Sequence, residues 1–131
     1  MSNRFTHRSF THLAGVRPEL VVVAYHALLL SPIPFQITDG LRTEEEQAIL
    51  LAAGKSRTMR SRHLTGHAID VVALQNGIVS WDWSLYETIA NSFNKASKET
   101  GIKVAWGGNW KGFRDGPHFE LDRELFPAGA K

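Results

Sequence analysis

The chain has 131 residues, 43% hydrophobic and 21% charged, which fits one domain with one core and excludes a disordered or fibrous chain. It contains no cysteine, so thiol catalysis and thiolate metal sites are excluded, and any metal must be held by His, Asp or Glu, which favours zinc. The net charge is only +2 and no Lys/Arg run marks a nucleic-acid stripe, so no nucleic-acid partner is expected.

The N-terminal stretch MSNRFTHRSF is polar and lacks the apolar run of a signal peptide. Pro18 opens a predicted helix to about Leu30, with Leu20, Val23, Ala24, Ala27 and Leu28 at helical spacing and Pro32 ending it. The surrounding apolar run is broken by His26, Pro32 and Pro34 and is too short to cross a bilayer, so no stable membrane insertion is expected. Residues 34–38 read as a short strand. Thr43 and Glu46 form a capping box for a second helix that stops at Gly54. A basic loop follows, then a strand over 67–74. Gln75-Asn76-Gly77 is a turn signal, and residues 78–81 are its hairpin partner. A third helix spans 84–101, with Leu85, Ile89, Phe93 and Ala96 on one face. Residues 102–106 read as a strand, 107–116 as a loop and 117–122 as a last strand. Helices and strands mix without a βαβ rhythm, which predicts an α+β fold with a small, mainly antiparallel sheet and packed helices. No repeat or long linker divides the chain, so residues 1–131 read as a single domain.

Two clusters could carry chemistry. In SRHLTGHAIDVVAL, the spacing of His63 and His67 is that of a helical zinc pair, but position 64 is Leu where such motifs have Glu, and Thr65-Gly66 signals a turn. Alternation along the following strand turns His67 away from Asp70, whereas His63 can fold back beside it. Asp70 taken alone reads equally as a loop cap or an arginine partner, and His63 as a loop histidine. In RDGPHFELD, His118 and Glu120 share a strand face, and Asp115 stands three residues before His118. Asp115 is either a turn aspartate or a catalytic acid, and Glu120 either a solvated residue or half of a salt bridge. Taken together, His63, Asp70 and His118 make a two-histidine, one-carboxylate set. Three protein ligands with a fourth position open are the arrangement of catalytic zinc. Hydrolysis also needs a base, for which Asp115 is the candidate, and an oxyanion donor, for which Arg42 is the candidate if it is not simply a surface arginine.

These residues resemble a known family. SRHLTGHAID is similar to the S-x-H-x-x-G-x-A-x-D motif of the zinc peptidases that cleave peptidoglycan stems. These are the D-alanyl-D-alanine carboxypeptidases and dipeptidases of the VanY and VanX type and the L-alanyl-D-glutamate peptidases of phage endolysins. DGPHFEL resembles the closing motif, GLRT the arginine motif and WGGNW the W-G-G-D-W loop, in the family's order and over residues 40–121. The resemblance implies the D-Ala-D-Ala carboxypeptidase and Hedgehog-like zinc peptidase fold. It implies a zinc cofactor on His63, Asp70 and His118, with Asp115 as general base and acid. Arg42 would stabilise the oxyanion or hold substrate, and Ser61 would contact the substrate backbone. Asp rather than Glu at the base position is the habit of the endolysin branch. That branch cuts the L-alanyl-D-glutamate bond, where its relatives act as D,D-carboxypeptidases or dipeptidases or, having lost the base, only bind zinc and wall. A short chain without leader, anchor or wall-binding domain looks like a monomeric endolysin. It would be made in the host cytoplasm and reach peptidoglycan in the periplasm through a holin. Asn109 departs from the W-G-G-D-W pattern. Trp106 could wall the substrate cleft or pack. Trp81 and Trp83 read as core or staple residues, the loop 55–62 as a solvated basic face, and His7, His12 and His26 as surface or helix positions.

Overall fold

A computed structural model describes residues 4–56, 58–112 and 114–128. Arg57 of the basic loop, Phe113 of the loop before Asp115 and the first three residues of the N-terminal stretch lie outside the described residues. The elements run α1 (His7–Leu13), α2 (Pro18–Leu30), β1 (Phe35–Asp39), α3 (Glu44–Ala52), β2 (Ala68–Gln75), β3 (Ile78–Ser80), α4 (Trp83–Thr100), β4 (Val104–Trp106) and β5 (His118–Leu121), with 3₁₀ turns at Arg62–Thr65 and Gly107–Asn109.

The predicted helices form where their signals lie. Pro18 sits in the first turn of α2, whose buried residues are Leu20, Val23, Ala24, Ala27 and Leu28. Thr43 and Glu46 close the capping box of α3, with Thr43 Oγ1 accepting from Glu46 N at 3.0 Å and Glu46 Oε1 from Thr43 N at 2.9 Å. Asp82 caps α4 by accepting from Ser84 N at 3.1 Å. Helix α1 was not predicted, because seven residues with few apolar positions carry little periodicity. Tertiary contact holds it instead: the buried Ser9 hydroxyl donates to Gln36 Oε1 at 2.6 Å and accepts from Ile37 N at 3.0 Å.

The sheet order is β1-β2-β5-β4, with β3 also on β2, and every pairing is antiparallel. The last strand in sequence therefore lies inside the sheet. One face packs on α2 and α4. Its centre is a run of phenylalanines, with Phe35 5.6 Å from Phe93 and Phe93 stacked on Phe119 at 3.9 Å. On β2 and β5, Ile69, Val71, Ala73, Phe119 and Leu121 join this core, while Asp70, His118 and Glu120 alternate to the other face. A bulge between Ile37 and Asp39 sets Asp39 opposite Asp70. Of the two readings of Trp81, core or staple, the staple position is the one it takes: it is 67% exposed, directly precedes the Asp82 cap of α4 and stacks on Tyr86 at 6.1 Å. Trp83 does pack, against Trp106 at 5.5 Å. His26 pairs with Glu99 at 2.6 Å on the surface.

Candidate active site

The register of β2 and β5 places Asp70 directly opposite His118. His63 arrives from the turn Arg62–Thr65, which Ser61 caps by accepting from His63 N at 3.2 Å. Gly66 ends that turn at φ 75°, where a Cβ would lie 2.5 Å from the carbonyl oxygen of Gly15. Only glycine fits both the left-handed backbone and the close approach. The result is that His63 Nε2 and His118 Nδ1 each lie 3.3 Å from Asp70 Oδ1. His67 is buried elsewhere, with Nδ1 2.8 Å from Thr65 Oγ1. Its separation from Asp70 follows the alternation argument.

The outer nitrogens fix what the inner ones can do. His63 Nδ1 is 2.9 Å from the carbonyl oxygen of Gly40, which can only accept, so Nδ1 carries the proton and Nε2 presents a lone pair. His118 Nε2 is 2.9 Å from Glu120 Oε1, which leaves Nδ1 as the inward lone pair. Asp70 Oδ1 is buried and has no hydrogen-bond partner. Three acceptor atoms within 4.8 Å of one another thus face a common point. They repel unless a cation or proton lies between them, and two imidazoles with one carboxylate are a borderline-metal donor set. The residues fit a metal ion.

With protons alone, the cluster responds in the same sense. Burial opposes ionisation of Asp70, but the two imidazoles overcome it and hold its carboxyl far below the usual range. Burial works against charge on His118, yet Asp70 and Glu120 push it up to about 9. Burial likewise opposes charge on Glu120, while His118 and Arg123 bring it down to about 2. A metal ion competes with those protons for the same lone pairs.

A cavity of about 760 Å³ opens over the cluster, lined by Ser61, His63, Asp70, Asp115 and His118, with Arg42 at its side. Asp115 is held by the turn at Gly107, whose carbonyl accepts from Asp115 N at 3.0 Å. A Cβ at Gly107 would meet the Asp115 carbonyl oxygen at 2.5 Å and His118 Cβ at 2.9 Å, so glycine is what lets the acid and the histidine converge. Burial first, then the charge of Asp70, raises the Asp115 carboxyl above its ordinary value, as suits a proton carrier. Arg42 is 9% exposed and largely committed: Nε donates to Asp39 at 3.0 Å, Nη1 to Gln47 at 2.6 Å, and Nη2 pairs with Asp39 and lies 3.7 Å from Asp70 Oδ2.

Two expectations shift. Of the two readings of Trp106, packing is the one observed, since it does not line this cavity but packs on Trp83 and donates from Nε1 to the Gly116 carbonyl at 2.7 Å; Trp110 lines the cavity instead, 4.7 Å from the His118 ring. The loop 55–62 is not wholly a solvated face, because Arg62 is buried and pairs with Glu120 at 3.2 Å while also donating to the carbonyls of Leu121 and Phe126. Sequence reasoning missed Arg62, Gln47 and Trp110. The usable signal for Arg62 was strand alternation, which puts Glu120 on the polar face and demands a cation for it.

The sequence matches the family model described as phage L-alanyl-D-glutamate peptidase over residues 1–129. The chain belongs to that family. Among these peptidases, the L-alanyl-D-glutamate peptidase of Escherichia phage T5 is 38% identical over 133 residues, covering 98% of this chain and 96% of the relative. The peptidoglycan L-alanyl-D-glutamate endopeptidase CwlK of Bacillus subtilis (strain 168) is 34% identical over 102 residues, 65% of this chain and 59% of its own. The crystal structure of the Serratia marcescens L-Ala D-Glu endopeptidase ChiX matches with TM-score 0.89 and 50% identity, over 96% of this chain and 95% of that one. The α+β architecture of this family member is thus that of an L-Ala D-Glu endopeptidase.

Proposed function

We propose that this chain is a zinc endopeptidase that hydrolyses the L-alanyl–D-glutamate bond of peptidoglycan stem peptides, as a single catalytic domain acting as a phage endolysin. The observation that carries the reading is the convergence of three possible ligand atoms, from His63, Asp70 and His118, within 4.8 Å of one another, beneath a cavity that also holds a carboxyl raised by burial. His63, Asp70 and His118 would hold the zinc. When bound, zinc supplies Lewis acidity that polarises a carbonyl and activates water.

The protein's own residues do the rest. Asp115 takes the proton of the attacking water on its carboxylate and returns it to the leaving amine, for which a raised pKa is an advantage. Arg42, locked by Asp39 and Gln47, holds Asp70 and offers positive charge to the substrate side of the cavity. Ser61 contacts the peptide backbone. Lys55, Arg60, Lys111 and Arg123 make the cavity attractive to the carboxylates of a stem peptide. No helix among the described residues is long and apolar enough to cross a membrane. The proposal also takes the enzyme to be a monomer, made in the host cytoplasm, that reaches the periplasmic wall through a holin.

Mass spectrometry of digested muropeptides tests it. New N-terminal D-glutamate is expected, whereas release of free D-alanine without it would sink the endopeptidase reading in favour of a D,D-carboxypeptidase. Asp115→Ala should retain metal and lower the rate by about 10²–10⁴.

A further inference from the structure

A second cavity, of about 490 Å³, lies between α4 and β4. Resting on the peptidase reading above, we propose that it binds the glycan of the same polymer, an N-acetylated sugar that carries the stem peptide.

The lining supports that class of ligand. Glu87, Asn91 and Asn94 face the cavity from α4 at helical spacing, and Trp106, Asn109 and Trp110 line it from β4 and the turn beyond. The side-chain amides of Asn91, Asn94 and Asn109 make no hydrogen bond among the described residues. Each offers two donors and an acceptor, the complement of hydroxyl and acetamido groups. The indoles of Trp106 and Trp110 supply flat apolar area for the C–H face of a pyranose ring. Among the described residues no Lys, Arg or His lines this cavity, whereas Arg42, Lys55, Arg60, Lys111 and Arg123 line the first. A neutral polyol therefore suits the second cavity, and a peptide rich in carboxylates suits the first.

Covalent connectivity joins the two. The L-alanine whose carbonyl is attacked is acylated on nitrogen by the lactyl group of N-acetylmuramic acid. Two residue-length units separate that carbonyl from the sugar ring, about 7 Å when extended. Trp110 lines both cavities, and its ring is 4.7 Å from His118. A stem peptide seated at the cluster thus delivers its sugar past Trp110 into the second cavity. This gives a small peptidase a grip on the glycan strand through its own catalytic domain.

The test uses the full chain and two substrates, disaccharide-tetrapeptide and the same tetrapeptide freed of sugar. Wild type should prefer the first by at least about tenfold in kcat/KM. The ratio should fall towards unity in Asn91→Ala/Asn94→Ala, whose changes lie on an exposed helix face. Peptide-free glycan strands, titrated against isotope-labelled protein, should shift the Trp110 indole and Asn side-chain NMR signals in wild type and leave the double variant unmoved. Equal rates on the two substrates, an unchanged ratio in the variant, or no shifts with glycan would each overturn the proposal. Glycan-induced shifts in a protein that cleaves neither substrate would sink the peptidase reading and leave the sugar site standing.

Discussion

Strand β5 divides its four residues between two environments. Phe119 and Leu121 enter the apolar core, while His118 and Glu120 enter a file of paired polar groups, most of them buried, that runs from the exposed Arg123 and the buried Arg62 through Glu120, His118 and Asp70 to Arg42 and Gln47. The apolar face is held by many small contacts, each replaceable in part by its neighbours. The polar face is held link by link, and a buried charge that loses its partner has nothing nearby to replace it. One strand can therefore set stability on one side and chemistry on the other, and the two sides should fail in different ways.

Removing a link from the polar side should have the largest effect. His118→Ala deletes one of three donor atoms and should weaken metal binding by more than about 100-fold, with wall lysis lost alongside. Metal analysis of the purified variant checks this, and full metal content would break the division between the faces. On the apolar side, Phe119→Ala removes the ring stacked on Phe93 and should cost about 3–5 kcal/mol in urea unfolding while the folded fraction keeps its metal. Glu120→Gln is milder and sharpens the contrast. Losing the carboxylate behind His118 should weaken metal binding by about 10–100-fold. Glu120 is also held near 2 against an ordinary 4.5, so it stabilises the wild-type fold above about 4.5 and loses that contribution as pH falls towards 2. The variant's stability should be flatter across that window. Thr43→Ala, which touches neither face, should cost about 1 kcal/mol by thermal melting through loss of the α3 cap and leave metal content unchanged.

Much of this division is legible in the sequence, because period-two alternation and helix caps are local. Alternation along 67–74 separates His67 from Asp70, and the Thr65-Gly66 turn lets His63 fold back to it; the Pro18 start and spacing of α2, the capping box of α3 and the apolar face of α4 are equally plain. What local pattern cannot reach is the destination of long side chains. Arg62 reads as one more cation in a basic loop, but the buried carboxylate that captures it lies on β5. Trp106 and Trp110 look equivalent in WGGNW. The 3₁₀ turn at Gly107–Asn109 rotates the chain so that the second, not the first, borders the His63–Asp70–His118 cluster. Gln47 carries no signal in the sequence, and it is a buried clamp on Arg42 only because α3 docks there.

The insertion of β5 between β2 and β4 also orders events during synthesis. The strand that completes the sheet is the last to leave the ribosome, and it brings His118 with it. A nascent chain lacking residues 118–121 has two of the three donor atoms, no partner for the inner edge of β2 and no pairing for β4. Long-range pairing of this kind is slow and comes after local helix formation. The three-donor cluster is thereby complete only once β5 has paired with β2, so a metal ion would find all three ligands after that long-range pairing and not on the β1–β2 pair alone.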